Sequence, residues 1–473
     1  MEAKTDRRVL VSLVVAFAYF MYLLDSTIVA TAAPQIALSF GVSPVRLSIA
    51  IVAYVLSLAV FIPLSGWVAD RFGASVVFRA AIAIFTLGSI CCGLSENLLE
   101  LGLSRVLQGI GGAMVIPVGR LLVLTSVKRS EFIKALAMLG LMAQIGPMLG
   151  PPVGGFITTF ATWRWIFFIN IPIGIIGFAL VTLYVPNVRE PEGRPLDWLG
   201  FLLTGVSASC IMYGCEAVGR ATEAPEVAIG LIVFGCLAGY FSIRHLRHHP
   251  HPLLDLSLVK LATFRVNMAA GSLFRIATGG MPFLLPLLFQ SVFGMTAFAS
   301  GLLIVSTAFG ALFVRLVVQR VLRKVGFKIG LLATGLLYVG VLTGCCFLTA
   351  QTPAWMIVLL MGAMGFCQGF QFTSLNTMAY SEVPAPKYSG ATGLAQLCQQ
   401  MSQGLGVALA ATLLHASLLL RGAEALSRSD IRLALVGLAI STLASVLLFS
   451  RMASDAGANI TGHRLDPARS VSE

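Results

Sequence analysis

The feature that most limits this chain is its succession of long apolar segments, separated by short charged or Gly/Pro/Asn-rich breaks. A helix needs about twenty apolar residues to cross the hydrocarbon core of a bilayer. A membrane strand would instead read as roughly ten residues of alternating polarity. The segments here are long and continuous, so the expected class is all-α, with each segment closing its own backbone hydrogen bonds. Fourteen spans are read, at 9–38, 46–69, 77–95, 99–123, 133–158, 164–187, 196–218, 225–243, 266–290, 296–319, 328–349, 354–379, 391–418 and 431–450. Composition agrees: 57% of the residues are hydrophobic and 11% charged, whereas a soluble domain averages about 25% charged. The chain reads as a polytopic membrane protein.

Its net charge of +12 does not point to nucleic acid, which would require the basic residues to cluster on a folded soluble face. They fall mostly in the breaks and report topology. With the N-terminus inside, 22 of the 32 Lys and Arg lie on the cytoplasmic side, against six on the other: Arg46, Arg164, Arg220, Arg421, Arg428 and Arg432. Cytoplasmic loops carry the basic excess, so both termini are expected in the cytoplasm. The first span follows Lys4, Arg7 and Arg8, is long enough to cross, and is expected to be retained, although Ala30, Thr31 and Ala32 form a run like a cleavage site. The nine cysteines lie in apolar segments without metal-ligand spacing and read as small packing residues.

Four arginines lie within spans: Arg105, Arg120, Arg275 and Arg315. Intramembrane acids are scarcer. Asp25 interrupts the first span within YLLDSTIVATAAP, and Glu216 stands near the outer end of the seventh. A charge near the bilayer centre costs roughly 2.5–3.5 kcal/mol on insertion scales, so Asp25 is by default a functional candidate. Removing a carboxylate from water favours its neutral form, which is what a proton carrier requires. The other reading is a structural residue bonded to a neighbouring helix. Arg105 and Gln108 are three apart and share a helix face. Arg105 either sits near Asp25 and influences its proton affinity, or binds backbone carbonyls as a strut.

Arg275 occupies nearly the register in the ninth span that Asp25 holds in the first. Facing a central cavity it would favour an anionic or zwitterionic solute; otherwise it lies at a helix interface. Arg315 is close enough to a span end to snorkel. Gln396, Gln400 and Gln403 line one face of the thirteenth span with Gln399 beside them, and the twelfth adds Gln368, Gln371 and Asn376. These amides either offer adaptable hydrogen bonds to a solute or bond neighbouring helices. The tract RHLRHHPHP, residues 244–252, reads as a basic linker at the lipid surface more readily than as a metal tract. No nucleophile elbow, phosphate-binding loop or zinc motif occurs, so neither an enzyme nor an ATP-driven pump is expected.

Internal duplication is visible. The loop after the second span reads GWVADRFG, 66–73, and the loop after the tenth reads QRVLRKVG, 319–326, a degraded copy in the same place of its half. Six spans precede about residue 190 and six follow about 262, giving a 6+2+6 plan: a six-helix bundle over 1–190, a two-helix insert with linker over 191–262, and a second bundle with tail over 263–473.

In order along the chain stand LDSTIVATAAP, GWVADRFG, RVLQGIGGAMVIPVGR (105–120), GPMLGPPVGG and WRWIFFINIPIG. With these motifs at these places the chain resembles the fourteen-span drug:proton antiporter branch of the major facilitator superfamily. The resemblance implies two six-helix bundles, alternating access, and export of small organic molecules, drugs or toxic compounds among them, in exchange for protons. No cofactor is implied beyond the proton gradient. The implied partners are the solute, protons and the lipid bilayer of the cytoplasmic membrane, with no nucleic acid, a monomeric carrier, and any further efflux partner left open. Set on that plan, the residue readings give proton coupling at Asp25 with Arg105, solute contacts at Arg275, Gln371, Gln396, Gln400 and Gln403, and gating at two places. The first is Asp70, Arg71 and Gly73, where an acid near a helix end and a guanidinium form a latch. Basic residues often follow Gly73 in the family, but Ala74 and Ser75 stand here. The second is Gly146, Pro147, Gly150, Pro151, Gly154 and Gly155, which let backbones approach and free some carbonyls, either as a gating seam or as ordinary small-residue packing. Export of an organic anion or metabolite on the same fold is the alternative.

Overall fold

The computed structural model describes residues 2–126, 132–185, 195–218, 225–250, 252–384, 387–423 and 425–453. Among them there is helix and no strand, as a chain that must close its backbone hydrogen bonds within each segment requires. In order the helices are α1 (Glu2–Phe40), α2 (Ser48–Phe61), α3 (Ser65–Phe72), α4 (Ala74–Leu94), α5 (Leu98–Ser126), α6 (Phe132–Phe160), α7 (Trp165–Phe168), α8 (Asn170–Tyr184), α9 (Trp198–Val218), α10 (Pro225–His248), α11 (Ala262–Pro286), α12 (Ala297–Phe347), α13 (Ala354–Ala379), α14 (Tyr388–Arg421) and α15 (Arg428–Ser450). Twelve helices among the described residues are long and apolar enough to cross a membrane. Of the basic residues used to argue orientation, Lys128, Arg129, Arg189, Arg194, Arg220, Arg464 and Arg469 lie outside the described residues, as does His251.

Two expected loops are helical. GWVADRFG was read as a connection, yet α3 runs through it to Phe72 and the chain breaks only at Gly73, where φ is +91°. QRVLRKVG lies wholly inside α12, which covers two expected spans and breaks at Gly326, where φ is +75°. Neither motif contains a helix-breaking residue before its last glycine, so the helix continues until a left-handed backbone, cheap only for glycine, turns it. The second motif has lost its acid but kept its turn. Pro63 produces the other local departure: the three residues Ile62–Leu64 tighten to a 3-10 turn that divides the second span.

The small residues of α6 set the assembly. One side of α6 packs along α1 and another along α12, while α2 packs against α14. A Cβ at Gly146 would come within 2.9 Å of Leu23 Cβ, and one at Gly154 within 2.8 Å of Ile28 Cγ1. Gly150 meets the Thr27 side chain directly. The remaining glycine, Gly155, faces away from α1 and meets the Ala297 carbonyl of α12, and Gly301 of α12 meets Pro151 in return. In α6, then, Gly146, Gly150 and Gly154 seat α1, and Gly155 with Pro151 seats α12. Helix α9 covers the opposite flank against both α2 and α14. Met212 fills the space over Gly404 there, and buried Glu216 accepts the Ser48 hydroxyl at 3.0 Å. Among the cysteines, Cys91 and Cys236 are exposed and so are not the packing residues expected; Cys92, Cys345 and Cys367 are buried.

Candidate functional site

Asp25 is 1% exposed at the meeting point of α1, α4, α5 and α8. Glycines on α5 and its neighbours allow that convergence: Gly109 presses on Ser57 and Tyr54 of α2, Gly111 on Ala81 and Phe85 of α4, and Gly88 of α4 on Gln108. Side chains there would hold the helices apart and withdraw the polar groups from one another.

Three donors converge on the carboxylate. Arg105 Nη1 donates to Oδ2 at 2.7 Å, and Gln108 Nε2 and Asn170 Nδ2 both donate to Oδ1 at 2.8 Å. Gln108 also accepts from Arg105, and Asn170 and Gln108 reach the Ser89 hydroxyl at 2.9 and 3.3 Å. The Ser89 hydroxyl donates to the Phe167 carbonyl at 2.9 Å. The Arg105 guanidinium lies 3.9 Å from the centre of the Tyr54 ring, which gives its charge a second favourable contact. The carboxylate faces three donors, and its pairing with a buried guanidinium offsets the large desolvation of both. Of the two sequence readings for Arg105, the geometry selects the one beside Asp25.

Sequence reasoning missed Asn170 and Ser89. Asn170 was inside a quoted motif, WRWIFFINIPIG, as the one amide in an apolar run, and intramembrane polarity was its signal. Ser89 carries no such signal, since serines are common at helix contacts.

A second site lies between α6, α11, α12, α13 and α14, a cavity of about 360 Å³. Its polar lining is Arg275, Thr278, Thr307, Gln368, Gln399 and Gln403; the rest is apolar or aromatic, with no carboxylate. Arg275 is 6% exposed and donates to the Asn267 carbonyl at 3.2 Å and to Asn267 Oδ1 at 2.8 Å. Gly271 leaves the room for this, since a Cβ there would sit 3.0 Å from Nη1. Among the described residues no carboxylate pairs with Arg275, so its charge is balanced only by dipoles and by whatever enters the cavity.

The amide face is rotated from the expected one. Gln399 and Gln403, four apart, line the cavity, while Gln396 and Gln400 do not. Gln371 is wholly buried and donates to the Leu331 carbonyl at 2.7 Å and to Thr334 at 3.2 Å, a helix-bonding role. Gln400 lies beside Tyr22, one turn before Asp25. Arg315 is exposed on the flank of α12.

Of the gating candidates, Asp70 is half-buried in the last turn of α3 and Arg71 is exposed next to it. The α6 residues form the seam described above, and Pro147 also borders the cavity. The seam continues at the ends of α1 and α11. Pro286 ends the α-helical part of α11, and the following π turn places Gln290 against α1. There Gln290 Nε2 donates to the Thr31 carbonyl and Gln290 Oε1 accepts from Gln35, both at 2.9 Å. The Phe298 amide donates to Thr159 at 3.1 Å nearby in the same seam. These bonds close the side of the molecule where α1 ends.

Residues 15–407 match the family model described as Major Facilitator Superfamily. A protein of Pectobacterium atrosepticum named for multidrug resistance, MdtD, is 39% identical over 402 residues, covering 85% of this chain and 86% of that one. Among solved structures, a D-xylose–proton symporter superposes with a TM-score of 0.65 at 14% identity, covering 95% of this chain and 99% of the other. An auto-inhibited peptide transporter of the POT family superposes at 0.66 with 15% identity, covering 93% and 97%. At such identities the structural matches establish the fold.

Proposed function

We propose a mechanism from one premise: the chain belongs to the major facilitator superfamily. It is a multi-pass membrane protein, and in our reading it exports small organic solutes across the cytoplasmic membrane in exchange for protons, as a monomer with both termini in the cytoplasm and no cofactor. The multidrug-resistance name of its relatives supports drugs as solutes. The observation that carries the coupling is Asp25 under three donors, with Arg105 as its counter-ion.

Asp25 and Arg105 together are neutral. A proton arriving at Asp25 removes the anion, weakens the bonds from Arg105, Gln108 and Asn170, and releases α1 from α5 and α8. Because α1 also bears the Gln35 and Thr31 contacts to Gln290, a change in its seating alters the closure of the far side. The proton is taken up when that side is open and given up when the cytoplasmic side is open, with solute binding favouring the deprotonated form. Differential affinity for the two states is what lets either ligand move the other.

A second reading rests on Arg275. A buried guanidinium without a carboxylate, in a cavity with no acid, favours a solute carrying an anionic group. The test uses everted vesicles with an imposed proton gradient, screened with cationic dyes and organic acids. Gradient-dependent uptake that Asp25→Asn abolishes supports the coupling, and loss of organic acid uptake alone in Arg275→Ala supports the second reading. Solute flux indifferent to the gradient in the unmodified protein would overturn the coupling.

A further inference from the structure

The His-rich tract, read from sequence as a lipid-surface linker, places two of its imidazoles against a carboxylate from another helix. Asp197 stands just ahead of α9 and is 4% exposed. Its Oδ1 accepts the Gly200 amide at 2.8 Å, which caps the helix, and meets His245 Nε2 at 2.7 Å. Its Oδ2 takes only the longer Leu253 amide contact at 3.3 Å.

His245 and His249 are four apart. The chain is still helical between them, since the His249 amide bonds the His245 carbonyl at 3.0 Å, so both rings project to the same side with centroids 5.0 Å apart. A ligand atom from each of Asp197, His245 and His249 lies within 4.8 Å of the others. Nitrogen and oxygen ligands stand about 2.0–2.2 Å from zinc, so small side-chain rotations bring all three onto one ion. The carboxylate is buried and both imidazoles are partly exposed, which leaves an open approach from the polar side.

We propose that Asp197, His245 and His249 bind one divalent transition-metal ion of the zinc class. Two neutral imidazoles and one carboxylate suit zinc, cobalt or nickel, whereas magnesium and calcium prefer all-oxygen sites. On binding, His245 gives up the Nε2 proton that faces Asp197 and carries one at Nδ1 instead, so the neutral imidazole presents its Nε2 lone pair and Asp197 an oxygen to the metal. The Gly200 amide remains on Asp197 and orients it. The ion then staples the start of α9 to the end of α10, and through Leu253 to the segment leading into α11.

The test uses the full chain purified in detergent with any polyhistidine tag removed. Cobalt is titrated while the visible bands of a tetrahedral site are recorded, and zinc is then added in competition. The expected result is one equivalent of cobalt displaced by zinc. Loss of an outer-shell partner costs a metal site about 10–100-fold in affinity, so His249→Ala and His245→Ala should each weaken binding tenfold or more. Exposed His248, whose Nδ1 bonds its own helix at the Arg244 carbonyl, serves as the control, and His248→Ala should bind as the unmodified protein does. A monodisperse His249→Ala protein that binds cobalt undiminished, or an unmodified protein that shows no saturable binding, overturns the site. In that case Asp197 and His245 form a helix-end ion pair and nothing more.

Discussion

Gln290 and Thr31 join the two halves of the molecule through a single hydrogen bond of 2.9 Å from a side-chain amide to a backbone carbonyl, and the other end of the same amide accepts from Gln35. One buried side chain on a π turn thus serves both partners. Gln290→Leu keeps the volume and removes both bonds. Each is worth about 0.5–1.5 kcal/mol net, so the closed arrangement should lose about 1–3 kcal/mol. A single cysteine placed at buried Thr31, whose carbonyl and not its side chain accepts from Gln290, should then react faster in a cysteine-free background with an impermeant thiol reagent added from outside. An unchanged rate would remove Gln290 from the closure.

Asp25→Asn should abolish gradient-driven efflux, because the amide cannot cycle a proton. It also leaves Arg105 without its anion, and breaking a buried pair costs about 3–5 kcal/mol. The variant should show a lower Tm while remaining monodisperse. Efflux that still runs against a solute gradient in this variant would end the coupling role.

Asn170→Ala removes one of the donors on Asp25 Oδ1. A hydrogen bond to a charged group contributes about 1.5–3 kcal/mol, so α8 is held less firmly to α1 and gradient-driven efflux should fall about tenfold or more while the protein stays monodisperse. Unchanged efflux from a well-expressed Asn170→Ala protein would remove Asn170 from the coupling site.

Gly150 packs against Thr27 and Gly155 against the Ala297 carbonyl. Gly150→Leu should separate α6 from α1 beside the coupling site and stop exchange, and Gly155→Leu should prop α6 away from α12. The two differ in readout: the second should raise external labelling near Phe298, and the first should not. Normal efflux from a well-expressed Gly150→Leu protein would reduce that seam to ordinary packing.

Asp255 pairs with Lys387 at 2.9 Å, joining the linker before α11 to the start of α14. Burial disfavours its charge, but Lys387 and the Ser257 hydroxyl and amide prevail and hold it below the usual carboxylate range. A depressed folded-state value means that the stabilisation is full above the unfolded value, near 3.9, and is lost as pH falls through the lower folded one. The pair is partly exposed, so its share is about 0–1 kcal/mol. Asp255→Asn should lower Tm slightly at pH 6 and not at pH 2; an equal effect at both would exclude the ion pair as the cause.

Hydropathy and length sufficed to make the chain an all-helical membrane protein, because each crossing must satisfy its own backbone, but they did not place every break, as the continuous α12 shows. What sequence spacing leaves open is rotation. The amides of α14 recur at steps of three and four, a pattern that Gln396, Gln400 and Gln403 satisfy as well as Gln399 and Gln403, and only packing against α11 and α13 decides which pair meets the cavity. Gln371 illustrates the same limit, since a buried amide facing a neighbouring helix has the same sequence signature as one facing a solute. Asp25 and Arg105 were separately legible as costly charges, whereas their pairing depended on glycines whose role appears only when three helices are brought together. The motif copies ending at Gly73 and Gly326 looked like loops because charge was taken to mean a break, and charges at the ends of helices are ordinary.

The pairing of Asp25 with Arg105 has an electrical consequence. With the carboxylate ionised the couple adds no net charge to the membrane interior, and with a proton bound it carries one positive unit, since the guanidinium does not release its own. A cycle that passes through both forms therefore responds to voltage as well as to acidity. Moving one unit charge across the field is worth about 2.3 kcal/mol per 100 mV. In a cell at neutral external pH, where the chemical gradient is small, the electrical term would drive exchange of one proton for a neutral or anionic solute and would cancel for a monocation.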